Sequence, residues 1–402
     1  MKKIILQVHD IKDPVNYSIN FLNKVQEAIG EIEVLILIPR RSQNIINHID
    51  AAFNYRILIT DEYVKQDISL NNISVSDIDL KSCQLQQKVF EKIGRTVPIQ
   101  SIIKDYIAYS VMYKKIIENY GPDLCICWNG QVHIDQTVFR DTCRSLDLNI
   151  LFLERGLIPN SVFYDNEGVN ATSSVAKWDI EKYRNVDHKE GYSLIQGYIK
   201  KEGVAVVKIN QKKEKFRTPY VLFPLQRDSD SNLVSNSKYF KNMYTILKKI
   251  DETDLPISVH YRAHPEDPKN HYTKSLNFKN NRLEEKSNID LEQHLMHSAA
   301  VMTINSTIGF SALLKDKTVI TLGESLYANK GFTIDYKDYR SFKKILSNID
   351  QYELTGEVKE MKDKFISKVI TEKHIVFNSS RLSFIQTTNL KNYIDCILGE
   401  QK

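Results

Sequence analysis

Short apolar runs alternate along this chain with longer stretches in which apolar residues recur at three- and four-residue spacing. The runs KIILQV (3–8), EVLILI (33–38), YRILIT (55–60), DLCICW (123–128) and NILFLE (149–154) read as strands. The helical period fits NYSINFLNKVQEAIG (16–30), the span from about 87 to 119, and DQTVFRDTCRSLD (135–147). Strand and helix in alternation predict a parallel sheet with helices on both faces.

Residues 155–180 show no clear period, carry Gly156, Pro159 and Gly168, and read as a functional loop. The charged stretch NQKKEKFRTP (210–219) reads as a linker. Beyond it the alternation restarts. PYVLFPL (219–225), PISVHYRA (256–263), AVMTIN (300–305) and TVITLG (318–323) read as strands. SKYFKNMYTILKKID (237–251), LEQHLMHS (291–298) and STIGFSALLK (306–315) read as helices, and a charged helical tail follows about residue 355. The expected class is α/β, two Rossmann-like doubly wound domains facing a central cleft. Residues 1–210 form the first domain; residues 211–402 form the second, whose C-terminal helices have room to pack back on the first. Ligands of such sheets collect at strand carboxyl ends.

Composition narrows the class. A chain of 402 residues is long for one core, which agrees with two domains. With 42% hydrophobic and 26% charged residues it is neither disordered nor fibrous. A formal charge of +5 is too small to indicate nucleic acid, but it suits anionic substrates or loose attraction to an acidic membrane surface. Cys125 and Cys127 lie on one face of a strand without the further partners a zinc site needs, so the cysteines read as reduced core residues. MKKIILQVHD reads as a first strand, not a signal peptide, and no window has the roughly 20 apolar residues of a membrane span. The expected location is the cytoplasm, with at most peripheral contact at the inner face of a membrane.

The candidate chemistry lies at the strand ends. FPLQRDSDSNLVSNS (223–237) turns abruptly from apolar to polar, and its Asp228, Ser229, Asp230, Ser231 and Asn232 suit a solvated turn, a divalent metal or a reacting carboxylate. RAHPED places Arg262, His264 and Pro265 after a strand, where free amides can take an anion. INSTIGFSALL offers Ser306 and Thr307 at a helix start, as ordinary caps or as phosphate ligands. Together the RAHP and NST segments would make a two-sided anion clamp. Glu154, in LERGLIPN, suits a base toward an acceptor hydroxyl or a salt bridge to an arginine.

Taken in order, these motifs resemble a family. Glu154, Gly156 and Pro159, then GVN (168–170), the LQ-plus-acidic segment, RAHPED, NSTIGFSALL and LGESLYANKGFT (322–333) are similar to the retaining β-Kdo glycosyltransferases of capsule and O-antigen biosynthesis, the KpsC/KpsS-like enzymes. The likeness runs from about 150 to 333. It implies a GT-B-like fold, CMP-β-Kdo as donor, no metal or other cofactor, and a bacterial surface glycan as acceptor, either lipid-linked or a free oligosaccharide. It also implies double displacement through an enzyme carboxylate, with retention of configuration, in a chain that belongs to a larger polysaccharide-synthesis protein or complex. Carried onto this sequence, donor-binding roles fall to Arg262, His264, Pro265, Ser306, Thr307, Tyr327 and Lys330, and catalytic roles to Glu154, His264 and the 228–232 segment. The family's nucleophilic aspartate aligns with position 232, where this chain has Asn232, so the resemblance implies a variant weakened in turnover that Asn232→Asp should restore by orders of magnitude; if it does not, Asp230 or Asp228 is the better nucleophile assignment. A non-catalytic sugar-nucleotide-binding module and a UDP-sugar epimerase are the competing expectations.

Overall fold

The computed structural model describes residues 1–8, 12–39, 51–61, 78–92, 94–183, 187–203, 219–267, 278–337, 342–352, 354–378 and 380–399. At Lys12, Ser231, Asn232, Phe342, Asp350 and Gln351 the description covers the backbone alone. Contacts divide the chain into two compact units. One holds Met1–Gly156, Asn160–Ser174 and Val369–Lys402; the other holds Leu157–Pro159 and Val175–Lys368.

The first unit is built on β1 (Lys2–Gln7), β2 (Ile32–Ile38), β3 (Asn54–Ile59), β4 (Leu124–Trp128), β5 (Ile150–Arg155) and β6 (Ser161–Asp165). β1 to β5 pair in parallel, in the order β5-β4-β1-β2-β3. Ile4, Leu6, Val34, Ile36, Ile126 and Leu151 are fully buried, as expected for strands covered by helices on both faces. The span expected as one helix from 87 to 119 is two, Leu80–Lys92 and Ile99–Tyr120, separated by Gly94 at φ 76° and by Pro98. Cys83, Cys125, Cys127 and Cys143 are buried free thiols.

The second unit contains β7 (Tyr220–Pro224), β8 (Ser258–Arg262), β9 (Leu283–Glu285), β10 (Ala300–Thr303), β11 (Thr318–Thr321) and β12 (Ile334–Asp335). All its pairings are parallel, and the order β12-β11-β10-β7-β8-β9 is the doubly wound order of a dinucleotide-binding sheet. The winding direction reverses between β7 and β10. The helix Thr307–Leu314 that follows β10 is buried from Ile308 through Leu314, so it is apolar all round and central to this unit.

The division between units shifts from the expected one. The 210/211 boundary lies outside the described residues, and the second unit already takes in Leu157–Pro159 and runs on from Val175. Lys330 Nζ donates to the carbonyls of Ala176 and Trp178, both at 2.7 Å, and Gln196 Nε2 donates to the Leu314 carbonyl at 3.2 Å. Such contacts tie 175–202 to residues more than a hundred positions later, which no local composition signals. At the other end, β13 (His374–Val376) pairs antiparallel with β6, and Leu390 and Ile394 of the helix Arg381–Ile397 enter the first unit's core. No described helix is long and apolar enough to cross a membrane.

Two buried histidines give a stability prediction. His294 meets His260 ring to ring, Nε2 to Nδ1, at 3.2 Å; burial first, then the neighbouring His260, Arg262 and Lys286, lower its pKa to about 3. Burial lowers His374 to about 4, and its Nδ1–H donates to the Val369 carbonyl at 2.9 Å. The native state therefore resists protons that the unfolded chain accepts below the usual imidazole value of about 6.5. This stability is complete above that value and is lost as pH falls toward the folded values. Each histidine is expected to cost about 1.4 kcal/mol per pH unit in that window. Urea midpoints at pH 7.5, 6 and 5 check this, and midpoints that do not fall would contradict it.

Candidate functional site

The strand order β10-β7-β8 sets three carboxyl ends side by side in the second unit, and the sequence motifs leave from those ends. β7 is apolar and fully buried from Tyr220 through Phe223. Its pairing closes when Leu225 N donates to the Arg262 carbonyl at 2.9 Å. Past this point the chain is polar because it has left the sheet for the strand-end surface.

The acidic segment is sorted by what each side chain holds. Asp228 Oδ1 accepts from Met243 N at 2.9 Å, so it caps the helix Met243–Asp251 together with Asn242, whose Oδ1 accepts from Thr245 N at 2.9 Å. That is a capping role, not a role toward a ligand. Asp230 closes the turn that Arg227 opens, with Asp230 N donating to the Arg227 carbonyl at 2.9 Å, and its Oδ2 accepts from Gln226 Nε2 at 3.3 Å. Asn232 is the second residue of the short helix Ser231–Asn236, and its side chain lies outside the described residues.

After β8, His264 forms a turn: its carbonyl accepts from Asp267 N at 3.0 Å and its Nδ1 accepts from Glu266 N at 3.2 Å. An accepting Nδ1 leaves the neutral ring's proton on Nε2. Burial pushes His264 below the usual imidazole range, against the opposing fields of Glu266, Asp230 and Asp267, while Arg227 adds to the lowering. The Asp230 carboxylate and the His264 ring thus lie within electrostatic reach of each other. Pro265 is exposed at the turn. Arg262 is buried, only 6% exposed, and donates to the Ile289 carbonyl at 3.0 Å, so its guanidinium braces the loop before the next helix.

After β10, Ser306 caps the helix Thr307–Leu314, its Oγ accepting from Ile308 N at 3.4 Å, and Thr307 is exposed at the first turn. Tyr327 is buried and its hydroxyl donates to the Ser306 carbonyl at 2.6 Å, which commits it to holding the NST turn. Lys330, 7% exposed and lowered to about 8 by burial, is committed to the Ala176 and Trp178 carbonyls. Of the residues predicted to touch a donor, Tyr327, Lys330 and Arg262 therefore support the strand-end segments through protein partners. Gly309 explains how Tyr327 fits: a Cβ there would overlap the Tyr327 hydroxyl and sit 2.9 Å from Thr303 Cγ2. Gly309→Ala is expected to cost about 1–3 kcal/mol, because the added methyl group displaces the Tyr327 hydroxyl that holds the Ser306 carbonyl. Denaturant unfolding checks it, and an unchanged midpoint would contradict it.

Glu154 belongs to the first unit. Its Oε2 accepts from Asn129 Nδ2 at 2.7 Å and its Oε1 from Arg155 N at 3.0 Å. The Arg155 guanidinium pairs instead with Asp13 at 3.0 Å. Asn129 can face Glu154 because the turn after β4 is left-handed, with φ 61° at Asn129 and 74° at Gly130.

Sequence reasoning missed a pair of buried amides. Gln226, after β7, and Asn305, after β10, bond reciprocally across the point where the sheet reverses. Gln226 Nε2 donates to Asn305 Oδ1 at 3.1 Å, and Asn305 N donates to Gln226 Oε1 at 3.3 Å. The letters LQ and INST were visible, but their 79-residue separation is closed only by the pairing of β7 with β10.

Comparison with known proteins fits this geography. Residues 176–351, a stretch within the second unit, match the family model described as "Capsule polysaccharide biosynthesis protein". The resemblance read from the sequence is borne out there. A curated relative, Protein FixF of Sinorhizobium fredii, is 28% identical over 197 residues, 44% of this chain. The match spans 43% of FixF, less than half of that protein's length. Among solved structures, Thermosulfurimonas dismutans KpsC, beta Kdo 2,7 transferase, is similar at 17% identity and a TM-score of 0.46, covering 80% of this chain and 98% of that one. The S. aureus MnaA–UDP co-structure is similar at 12% identity and a TM-score of 0.39, covering 100% and 98%.

Proposed function

We propose that this chain is a retaining β-Kdo transferase, moving Kdo from CMP-β-Kdo to a bacterial surface glycan, an O-antigen chain end or a capsule linker. The observation that carries the reading is the Asp230 carboxylate at the reversal point of a nucleotide-type sheet, oriented by Gln226 and in the field of neutral His264. The capsule family match over 176–351 supports the substrate class.

The scheme has two displacements. Asp230 attacks the anomeric carbon; the bond to the CMP oxygen breaks and CMP leaves with its electron pair. An acceptor hydroxyl then attacks the same carbon from the opposite face, its proton passes to a base, and Asp230 is released. Two inversions give net retention. The first step needs stabilisation of charge on the departing phosphate, which the His264 Nε2–H, the Ser306 and Thr307 hydroxyls and the amides of that helix start can supply. No metal is required in this scheme. Glu154, its Oε2 held by Asn129, is the candidate base that the first unit carries. The enzyme works at the cytoplasmic face of the inner membrane within a larger polysaccharide-synthesis protein or complex.

Calorimetry with CMP and UDP followed by incubation with CMP-Kdo and a glycan acceptor tests the reading. CMP preference and a β-linked product are expected. UDP preference would favour an epimerase, and CMP binding without turnover a non-catalytic module; either would overturn the proposal.

A further inference from the structure

The GVN segment (168–170) of the first unit supplies no group to the scheme above, and its surroundings show what it supports instead. Asp165, fully buried, accepts from Glu167 N at 2.9 Å, from Ser174 N at 3.0 Å and from Ser174 Oγ at 2.5 Å. It also pairs with Lys373 Nζ at 3.0 Å, so one carboxylate ties both ends of the loop. Within the loop a Cβ on Gly168 would overlap Thr172 Oγ1, and that hydroxyl donates to the Val169 carbonyl at 2.9 Å. Gln131 Nε2 donates to the same carbonyl, also at 2.9 Å, and to Thr172 Oγ1. The loop thus grips the turn that follows β4.

That turn is fixed on its other sides as well. Asn129 N donates to the Leu153 carbonyl at 2.8 Å, and Arg140 Nη1 donates to the Gly130 carbonyl at 2.9 Å. Gln131 N can only donate, so the Asn129 atom facing it at 3.1 Å is Oδ1, and Nδ2 is turned to Glu154 Oε2 at 2.7 Å. Arg155 N can only donate, so Glu154 meets a donor at Oε1 as well. Two donors suit the ionised carboxylate, the form that can take a proton. Asn129 is buried, so water does not readily replace its amide.

We infer that Asn129 is a positioning residue for the base Glu154, and that the GVN loop, acting through Gln131, is the brace that keeps Asn129 aimed at it. The inference rests on the transferase reading above, on its acceptor step alone and not on which residue carries the sugar. In that step the acceptor oxygen bonds to the anomeric carbon, the bond to the leaving group breaks with its electron pair, and the hydroxyl proton passes to Glu154. Asn129 touches neither sugar nor CMP in that scheme, so its contribution belongs to the chemical step. An ångström of misplacement of a reacting group costs on the order of a hundredfold in rate.

Steady-state kinetics with CMP-Kdo and acceptor, CMP calorimetry and crystal structures compare wild type with Asn129→Asp, Asn129→Gly and Gln131→Leu. Aspartate and glycine both tolerate the left-handed turn, so neither change breaks it. Asn129→Asp keeps the acceptor for Gln131 N but sets a carboxylate oxygen against Glu154 Oε2. Its kcat is expected to fall about a hundredfold, with donor KM and CMP affinity within about threefold. Its acid limb should move to higher pH, because two facing carboxyls share a proton that the base must lose. In the Asn129→Gly crystal structure the Glu154 carboxylate should leave its wild-type position. Gln131→Leu should lower kcat about tenfold, and an unchanged kcat there would overturn the bracing role of the loop. A general structural defect would instead lower stability with kcat and leave the acid limb of Asn129→Asp in place, which would overturn the inference. An unmoved Glu154 in Asn129→Gly would also overturn it. A wild-type protein that does not turn over CMP-Kdo sinks the transferase reading instead, and the crystal comparison then decides whether Asn129 positions Glu154.

Discussion

Asp230→Asn is expected to lower sugar transfer by on the order of a thousandfold or more while CMP binding changes little. An amide at 230 keeps the size of the side chain and its contact with Gln226, but it cannot form and release a glycosyl ester. The companion variant, Asn232→Asp, is expected to leave kcat within about threefold, because the reacting carboxylate in this account is already present. The pair of variants separates the two sequence alignments. If Asn232→Asp raises turnover by orders of magnitude, position 232 is the nucleophile position and Asp230 supports it. Asp228→Ala is the control: Asp228 caps a helix through Met243 N, so its loss should appear as about 1 kcal/mol of stability and not in the chemical step. Transfer rates with intact-mass detection and urea unfolding read all three.

The second large effect is expected at His264. Its Nδ1 accepts from Glu266 N, so the neutral ring presents Nε2–H, a donor suited to a phosphate oxygen. His264→Ala should lower kcat/KM about a hundredfold or more, because it removes a donor aimed at charge that develops as CMP departs. The depressed pKa has a signed consequence. The ring is neutral above the usual imidazole range, so kcat/KM should show no histidine limb as pH rises from 6.5 to 8.5. A cationic histidine would instead give activity falling with rising pH across that range. Below the usual range, protonation sets the new Nδ1–H against Glu266 N, and the turn that presents the ring is lost. A pH–rate profile checks both the sign and the window.

These effects were only partly legible in the sequence. β1, β2, β4, β5, β7, β8 and β10 announced themselves as apolar runs because buried parallel strands must be apolar on both faces. β6 hid in the stretch read as a loop, where it turns back antiparallel on β5, and β13 is three residues long and meets β6 only by a chain return from the far end. The helix expected from residue 237 begins at Met243, where Asn242 supplies the cap. Capping geometry also decided what the acidic run means. Composition left Asp228 and Asp230 equivalent, and only the position of the 243–251 helix shows that Asp228 is already occupied. Tyr327 and Lys330 sat in a motif that pointed to ligand contact. Burial turned both inward, to the Ser306, Ala176 and Trp178 carbonyls, which no spacing along the chain encodes. The same is true of the Gln226–Asn305 pair, which required the strand order itself.

The account's central claim is a covalent sugar on Asp230. Mixing the protein with CMP-Kdo without acceptor, quenching rapidly in acid and measuring intact mass, with peptide mapping of residues 223–237, tests it most directly. The account predicts a mass increase of one Kdo residue, localised to Asp230, absent from Asp230→Asn and discharged when a glycan acceptor is added. Product formation with no adduct at any quench time, or an adduct on another residue, would contradict it.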